Sequence, residues 1–333
     1  MKGDIKISKA NSQQESKNFL NPFSKISIPR QLVLLLILIF MWIMMAILSP
    51  RFLSVVNLSS IGISIATIAI LAIGQTFVIL TAGIDLSVGN VLGFVGVVTA
   101  LSMTRGLGFI GGILAGIVVG TLCGFTNGIL VGKGKLPPFI ATLGMMGIVR
   151  GIALIISGGF PIIVPFEAFG FLGAGKILKI PVPVIVTLFL FLAGFYTLKH
   201  TQIGRKTYAI GSNEEASRLS GINVSWQKIF IYSLSGFTAS IAGLIETARL
   251  FSAYPTAGSG YELDSIAAVV IGGTSFFGGE GNILQTFIGA LIISTLRNGC
   301  NLLGISPFIQ QVLIGVIIIG AVYVDRIKES SLI

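Results

Sequence analysis

LVLLLILIFMWIMMAILS runs from Leu32 to Ser49 without a charge and is closed by Pro50 and Arg51. A helix needs about 20 apolar residues to cross a bilayer, so these eighteen predict a membrane-spanning helix. The same texture recurs outward from it. Apolar segments follow at Leu58–Thr81, Val88–Met103, Gly108–Val131, Phe139–Ile156 and Pro181–Leu198, then at Ile229–Ala248, Ile266–Phe277, Ile283–Cys300 and Phe308–Val324. The first of these breaks at TAGIDLSVG (Thr81–Gly89). The segment at Ile266 is short for a full span and reads as tilted, broken or re-entrant. The expected architecture is an all-α polytopic membrane protein of about ten transmembrane helices.

Composition agrees. The 333 residues are 53% hydrophobic and only 10% charged, where a soluble chain carries about 25% charged residues. A net charge of +10 would suit nucleic acid, but the basic residues cluster in the tail and loops between apolar segments, which is the pattern of membrane orientation. Lys2, Lys6, Lys9, Lys17, Lys25 and Arg30 place the N-terminal tail in the cytosol. Alternation then keeps Lys133, Lys135, Lys199, Arg205, Lys206, Arg218, Lys228, Arg326 and Lys328 inside. It leaves Arg51, Arg105, Lys176 and Lys179 outside. Ten helices with both termini cytosolic satisfy this count. The expected organisation is a polar tail over 1–30, a transmembrane domain over 31–325 with a cytosolic loop at 199–228, and a short tail over 326–333. The N-terminus does not read as a signal peptide, because a polar tail precedes the first apolar run with no small-residue cleavage site after it.

The 43 glycines include a series inside one apolar run: Gly111, Gly112, Gly116, Gly120 and Gly124. In lipid such residues let helix backbones approach closely, so the series predicts tight helix packing.

Catalysis finds little support. His200 stands alone in a loop, and Cys123 and Cys300 lie apart in apolar stretches. No metal-ligand spacing and no catalytic residue emerge. GKGK (Gly132–Lys135) lacks the phosphate-loop spacing, with Leu136 where a hydroxyl should follow. The chain therefore needs an external energy source if it does work on ATP, and no cofactor is expected in it. Asp85, Glu262, Asp264 and Glu280 sit at segment ends beside glycine, where helix capping explains an acid; an ion path is the alternative. Asp85, Ser87, Gly89, Glu262, Asp264, Gly272 and Gly273 are the candidates for helix breaks or a translocation path. Glu246 and Arg249 are spaced to form a local ion pair. The sequence shows no aromatic-plus-amide cluster of the kind that binds a sugar.

The polar segment GSNEEASRLSGI (Gly211–Ile222) is the exception to the apolar texture. Ser212 with Glu215 three residues on makes a capping box, Gly211 permits a sharp entry, and Gly221 supplies a left-handed stop. The helix between, Asn213 to Ser220, is too short to be stable alone in water and must rest on a partner or on its own flanks. Ala216, Leu219 and Ile222 form a small or apolar face, with Arg205 and Arg218 free to meet acids.

ILTAGIDLSVGN (Ile79–Asn90), PPFIATLGMM (Pro137–Met146), GRKTYAIGSNEEASRLSGINV (Gly204–Val224) and the run Ala248–Ile283 carry a resemblance. So does NGCNLLGIS (Asn298–Ser306). Together they are similar to the membrane permease subunits of bacterial sugar ABC importers, in the ribose/xylose/galactoside branch, from about Arg30 to Asp325. The resemblance implies a multi-pass protein of the bacterial inner membrane that forms a homodimer, or a pair with a related permease. It also implies a separate ATPase subunit that holds ATP and Mg, and an extracytoplasmic sugar-binding protein. Gly204, Arg205, Gly211, Ser212, Glu215, Ala216, Arg218, Leu219, Gly221 and Ile222 would then carry coupling to the ATPase. Ribose is the expected sugar, with xylose, galactose, arabinose or an autoinducer sugar as alternatives. An ion-coupled secondary transporter and an intramembrane enzyme are the competing classes. The loops Gly158–Lys179 and Tyr254–Leu263, with Lys176 and Lys179, are expected to receive the binding protein.

Overall fold

The computed structural model describes residues 30–330. The tail lysines that anchor the orientation argument, and residues 331–333, lie outside the described residues. The helices in chain order are α1 (Arg30–Leu48), α2 (Val55–Leu80), α3 (Val88–Ser102), α4 (Gly108–Gly132), α5 (Pro138–Ser157), α6 (Gly170–Ala174) and α7 (Val182–His200). They continue as α8 (Gln202–Ser212), α9 (Glu214–Leu219), α10 (Val224–Leu250), α11 (Tyr261–Ile271), α12 (Ile283–Leu302) and α13 (Pro307–Ser330). Among the described residues, sheet is confined to two ribbons. β1 (Ile162–Ile163) pairs antiparallel with β4 (Ser252–Ala253), and β2 (Lys176–Ile177) with β3 (Ile180–Pro181).

Seven helical runs are long and apolar enough to cross a membrane, and the chain is a mostly helical, multi-pass membrane protein. One of those runs, 88–132, is two helices: the backbone turns at Gly106 (φ +93°) and Gly108 (φ +69°), and α3 then packs against α4. The segment expected at Ile266–Phe277 is displaced towards the N-terminus. Gly260 takes φ +90° and its N–H donates to the Glu262 carboxylate at 3.1 Å, which starts α11 five residues earlier. Gly273, at φ +95°, stops it before the remaining apolar residues, since an L side chain resists that conformation. At eleven residues α11 extends only about 17 Å, well short of a bilayer.

Helix α10 is the centre of the bundle, packed on α4, α2 and α3. The glycine series on α4 makes its closest contact there: a Cβ on Gly124 would stand 2.9 Å from the Gly236 Cα. The backbones themselves form this seam, as expected for small residues in lipid. A second cluster joins α2, α11 and α12 through Ile68, Ala268, Val269, Ala290 and Ile293. Outward-facing Ile47, Ile110, Ile155, Phe308 and Ile319 are exposed, the condition of helices whose outer faces meet hydrocarbon.

Candidate functional site

The polar segment folds as two helices where one was expected. Helix α8 occupies Gln202–Ser212 and α9 only Glu214–Leu219. The cap is therefore Asn213, not Ser212: Asn213 is extended (φ −160°, ψ 106°) and its Oδ1 accepts from the Ala216 N–H at 2.8 Å. Ser212 ends α8 with a helical backbone, and Glu215 pairs with Arg218 at 2.5 Å instead of closing a capping box. Nor does Gly211 serve a sharp entry. It lies against the Leu80 carbonyl at the end of α2, where a Cβ would overlap that oxygen. This contact carries α8 one residue further than local cap chemistry predicts. At the other end Gly221 has φ +83°. Its N–H donates to the Arg218 carbonyl and the Ile222 N–H to the Ser217 carbonyl, both at 3.1 Å, which is a Schellman stop.

Three ties hold this segment to the bundle. Lys228 on α10 pairs with Glu214 at 2.6 Å, Gln227 donates to the Thr207 hydroxyl at 3.1 Å, and Tyr208 donates to the Gly281 carbonyl at 2.8 Å. Gly204 is buried against Leu198 at the end of α7. By contrast Arg205, Ala216, Arg218 and Leu219 are exposed, and Leu219 is 77% exposed, an unusual state for leucine on a polar helix. Ile222 is half-buried. The Arg218 hydrogen bonds hold the Glu215 carboxyl below the usual carboxylate range. A cleft of about 550 Å³, lined by Lys135, Pro137, Glu215 and Arg218, separates α9 from the loop between α4 and α5. The residues that fix α8, notably Thr207, Tyr208 and Gln227, escape sequence reasoning because their partners are distant in the chain.

The break at Thr81–Gly89 builds a second polar cluster. Asp85 is buried, and its carboxylate accepts from the Ser87 hydroxyl at 2.6 Å, the Ser87 N–H at 3.0 Å and the Ser235 hydroxyl at 2.8 Å. Asn127 adds a bond to the Ser87 hydroxyl at 3.0 Å. The loop is thus pinned to α4 and α10. Gly89 packs against Glu262 and the Gly258 carbonyl, joining the first turn of α3 to that of α11. Glu262 does cap α11, as expected, but Asp264 does not cap: it is wholly buried and pairs with Arg297 on α12 at 2.8 Å. Gly272 lies against the first turn of α12 and Gly273 is the left-handed stop.

Between α2, α10, α11, α12 and α13 lies a cavity of about 300 Å³. Glu246 and Arg249, paired at 2.6 Å, form one wall. Tyr261, Asn298, Asn301 and Gln310 also line it. An aromatic-plus-amide cluster is therefore present, contrary to the sequence expectation, assembled from three helices.

The chain matches the family described as "Branched-chain amino acid transport system / permease component" over residues 57–322. Among curated proteins it is 47% identical to the ribose import permease protein RbsC of Escherichia coli (strain K12), covering 90% of this chain and 94% of the relative. It is 46% identical to RbsC of Bacillus subtilis (strain 168), over 86% and 90% of the two chains. The D-allose transport system permease protein AlsC of Escherichia coli (strain K12) is 41% identical over 84% and 86%. No solved structure matches the chain. With most of its length matched to the family and its helices broken and packed around a polar interior, the chain belongs to these permease components of transport systems.

Proposed function

We propose that the chain is the transmembrane subunit of an ABC importer and carries ribose across the bacterial inner membrane. The observation that carries this reading is the 47% identity to a ribose import permease along 90% of the chain, against 41% for the allose permease. Ten membrane segments with both termini cytosolic fit it: the long apolar helices, with 88–132 taken as two, together with α11 and its following loop, and α13. Two copies form the path. An extracytoplasmic binding protein delivers the sugar to the loops 158–181 and 251–260, and a separate ATPase subunit holds ATP and Mg.

In this reading α9 is the coupling helix. Its exposed Glu215, Ala216, Arg218 and Leu219 seat in a groove of the ATPase, the mode by which short helices dock on partners. Gly221 and Ile222 fix its end. Gly204, Arg205, Gly211 and Ser212 belong to α8, which passes the push to α2 through Gly211 and Leu80. The test is reconstitution with the ATPase and binding protein in liposomes, with ion gradients collapsed. ATP-driven ribose uptake supports the reading, and uptake that dies with the gradient removes it. Uptake of allose or arabinose in place of ribose leaves the importer but changes its substrate.

A further inference from the structure

The cavity between α2, α10, α11, α12 and α13 sits at the end of α10 far from α9 and plays no part in coupling. From Val224 to Glu246 is about 33 Å along the helix. Its chemistry is specific. Two arginines reach it, and each already has a carboxylate: Arg249 holds Glu246 at 2.6 Å and Arg297 holds Asp264 at 2.8 Å. The charges cancel, so an anionic solute finds no unspent cation. Hydrogen-bonding capacity is left over instead. The Nε atoms of Arg249 and Arg297 and the hydroxyl of Ser294 are buried without a hydrogen-bond partner. Ser294 is 1% exposed and lines the cavity. Buried polar groups are nearly always partnered, so three orphans on one cavity mark a place where something else supplies oxygens. Tyr261 offers a ring face, and Asn301, which accepts from Gln310 at 2.8 Å, offers its own amide hydrogens.

Donors and acceptors in balance, zero net charge, an aromatic face and a volume of about 300 Å³ describe a site for a small neutral polyhydroxylated solute. That volume lies at the low end of ligand pockets. We propose that this cavity is a transit site for such a solute, a monosaccharide if the import reading holds, inside each protomer.

Two experiments on the reconstituted importer test it. In the first, Asn301→Ala with Gln310→Ala is compared with wild type for sugar imported per ATP hydrolysed. The ratio is expected to fall about tenfold, the loss of one or two hydrogen bonds, while ATP hydrolysis stimulated by the binding protein persists. An unchanged ratio overturns the proposal, and so does loss of both activities together, which marks a purely structural role. In the second, Ser294→Cys is placed in a background carrying Cys123→Ala and Cys300→Ala and exposed to a negatively charged methanethiosulfonate. Millimolar ribose is expected to slow modification about threefold or more, near-full occupancy of a weak site. A thiol that is unreactive, or that reacts at the same rate with and without ribose, allose and arabinose, overturns the proposal. Wild-type importer that hydrolyses ATP yet moves no ribose removes the substrate reading alone; protection by another neutral sugar then leaves the cavity assignment standing.

Discussion

Gly211 and Leu80 meet with no room for a side chain: any Cβ on Gly211 would overlap the Leu80 carbonyl oxygen. The same oxygen accepts the Gly279 N–H at 3.0 Å, so α8, the end of α2 and the 272–282 loop share one contact. Gly211→Ala is expected to force these apart at a cost of about 1–3 kcal/mol, the usual penalty of overpacking. ATP-driven uptake should fall while the ATPase subunit still binds, as read by co-purification. Normal uptake in this variant would show that the contact transmits nothing.

The two cap residues separate cleanly. Asn213→Ala removes the side chain that accepts from Ala216 and is expected to cost α9 about 1 kcal/mol. Ser212→Ala removes a side chain that caps no N–H and should leave coupling unchanged. Uptake per ATP hydrolysed distinguishes them; equal losses would restore the cap to Ser212.

The Asp85 cluster predicts a graded series. Asp85→Ala leaves the hydroxyls of Ser87 and Ser235 without their acceptor inside the bundle. A hydrogen bond to a charged group is worth about 1.5–3 kcal/mol. Thermal unfolding in detergent should show a large loss for Asp85→Ala and a smaller one for Asp85→Asn, which keeps an acceptor oxygen. The reverse order, or no loss, would rule out this carboxylate as the pin of the break.

The Glu215–Arg218 pair carries a sign. Its hydrogen bonds depress the Glu215 pKa. Any contribution is therefore fully present above the ordinary carboxylate value and is lost only as pH falls through the lower folded value. Both side chains are exposed, so solvent screens the pair heavily. Wild type and Glu215→Gln should therefore give parallel uptake profiles between about pH 6 and 8. A divergence in that window would assign Glu215 a partner beyond Arg218.

At the opposite face, Leu178 and Lys179 form the tip of the β2–β3 ribbon, with φ of 50° and 69°. Leu178 is 91% exposed. Leu178→Asp, or charge reversal at Lys176 and Lys179 together, is expected to lower the ATP hydrolysis stimulated by the binding protein severalfold and leave basal hydrolysis intact. Unchanged stimulation would remove this tip from the docking surface.

The membrane helices were readable because the bilayer imposes a length, and apolar runs such as Leu32–Ser49 announce themselves without tertiary information. The glycine series on α4 was readable for a related reason: no other role suits so many small residues on one helix in lipid. Local chemistry failed where a distant contact decides. Ser212 and Asn213 are both good caps, and only the Leu80 carbonyl, more than 130 positions away in sequence, selects between them. The polar cavity failed to show for the same reason, since its walls run from Ser64 to Gln310 and no short window contains more than a fragment. Asp264 looked like a cap because Gly260 precedes it; its partner Arg297 lies on another helix.

The backbone seam between Gly124 and Gly236 has a mechanical consequence. Two helices whose main chains touch bend together, which makes α4 and α10 stiffer than either alone. Pivoted at its cytosolic end, such a rod magnifies small angles: a tilt of about 5° at Val224 displaces Glu246 by roughly 3 Å over its ~33 Å arm. That stroke matches the length of a hydrogen bond, so a nudge at α9 has the reach to open or close contacts at the far end of the molecule.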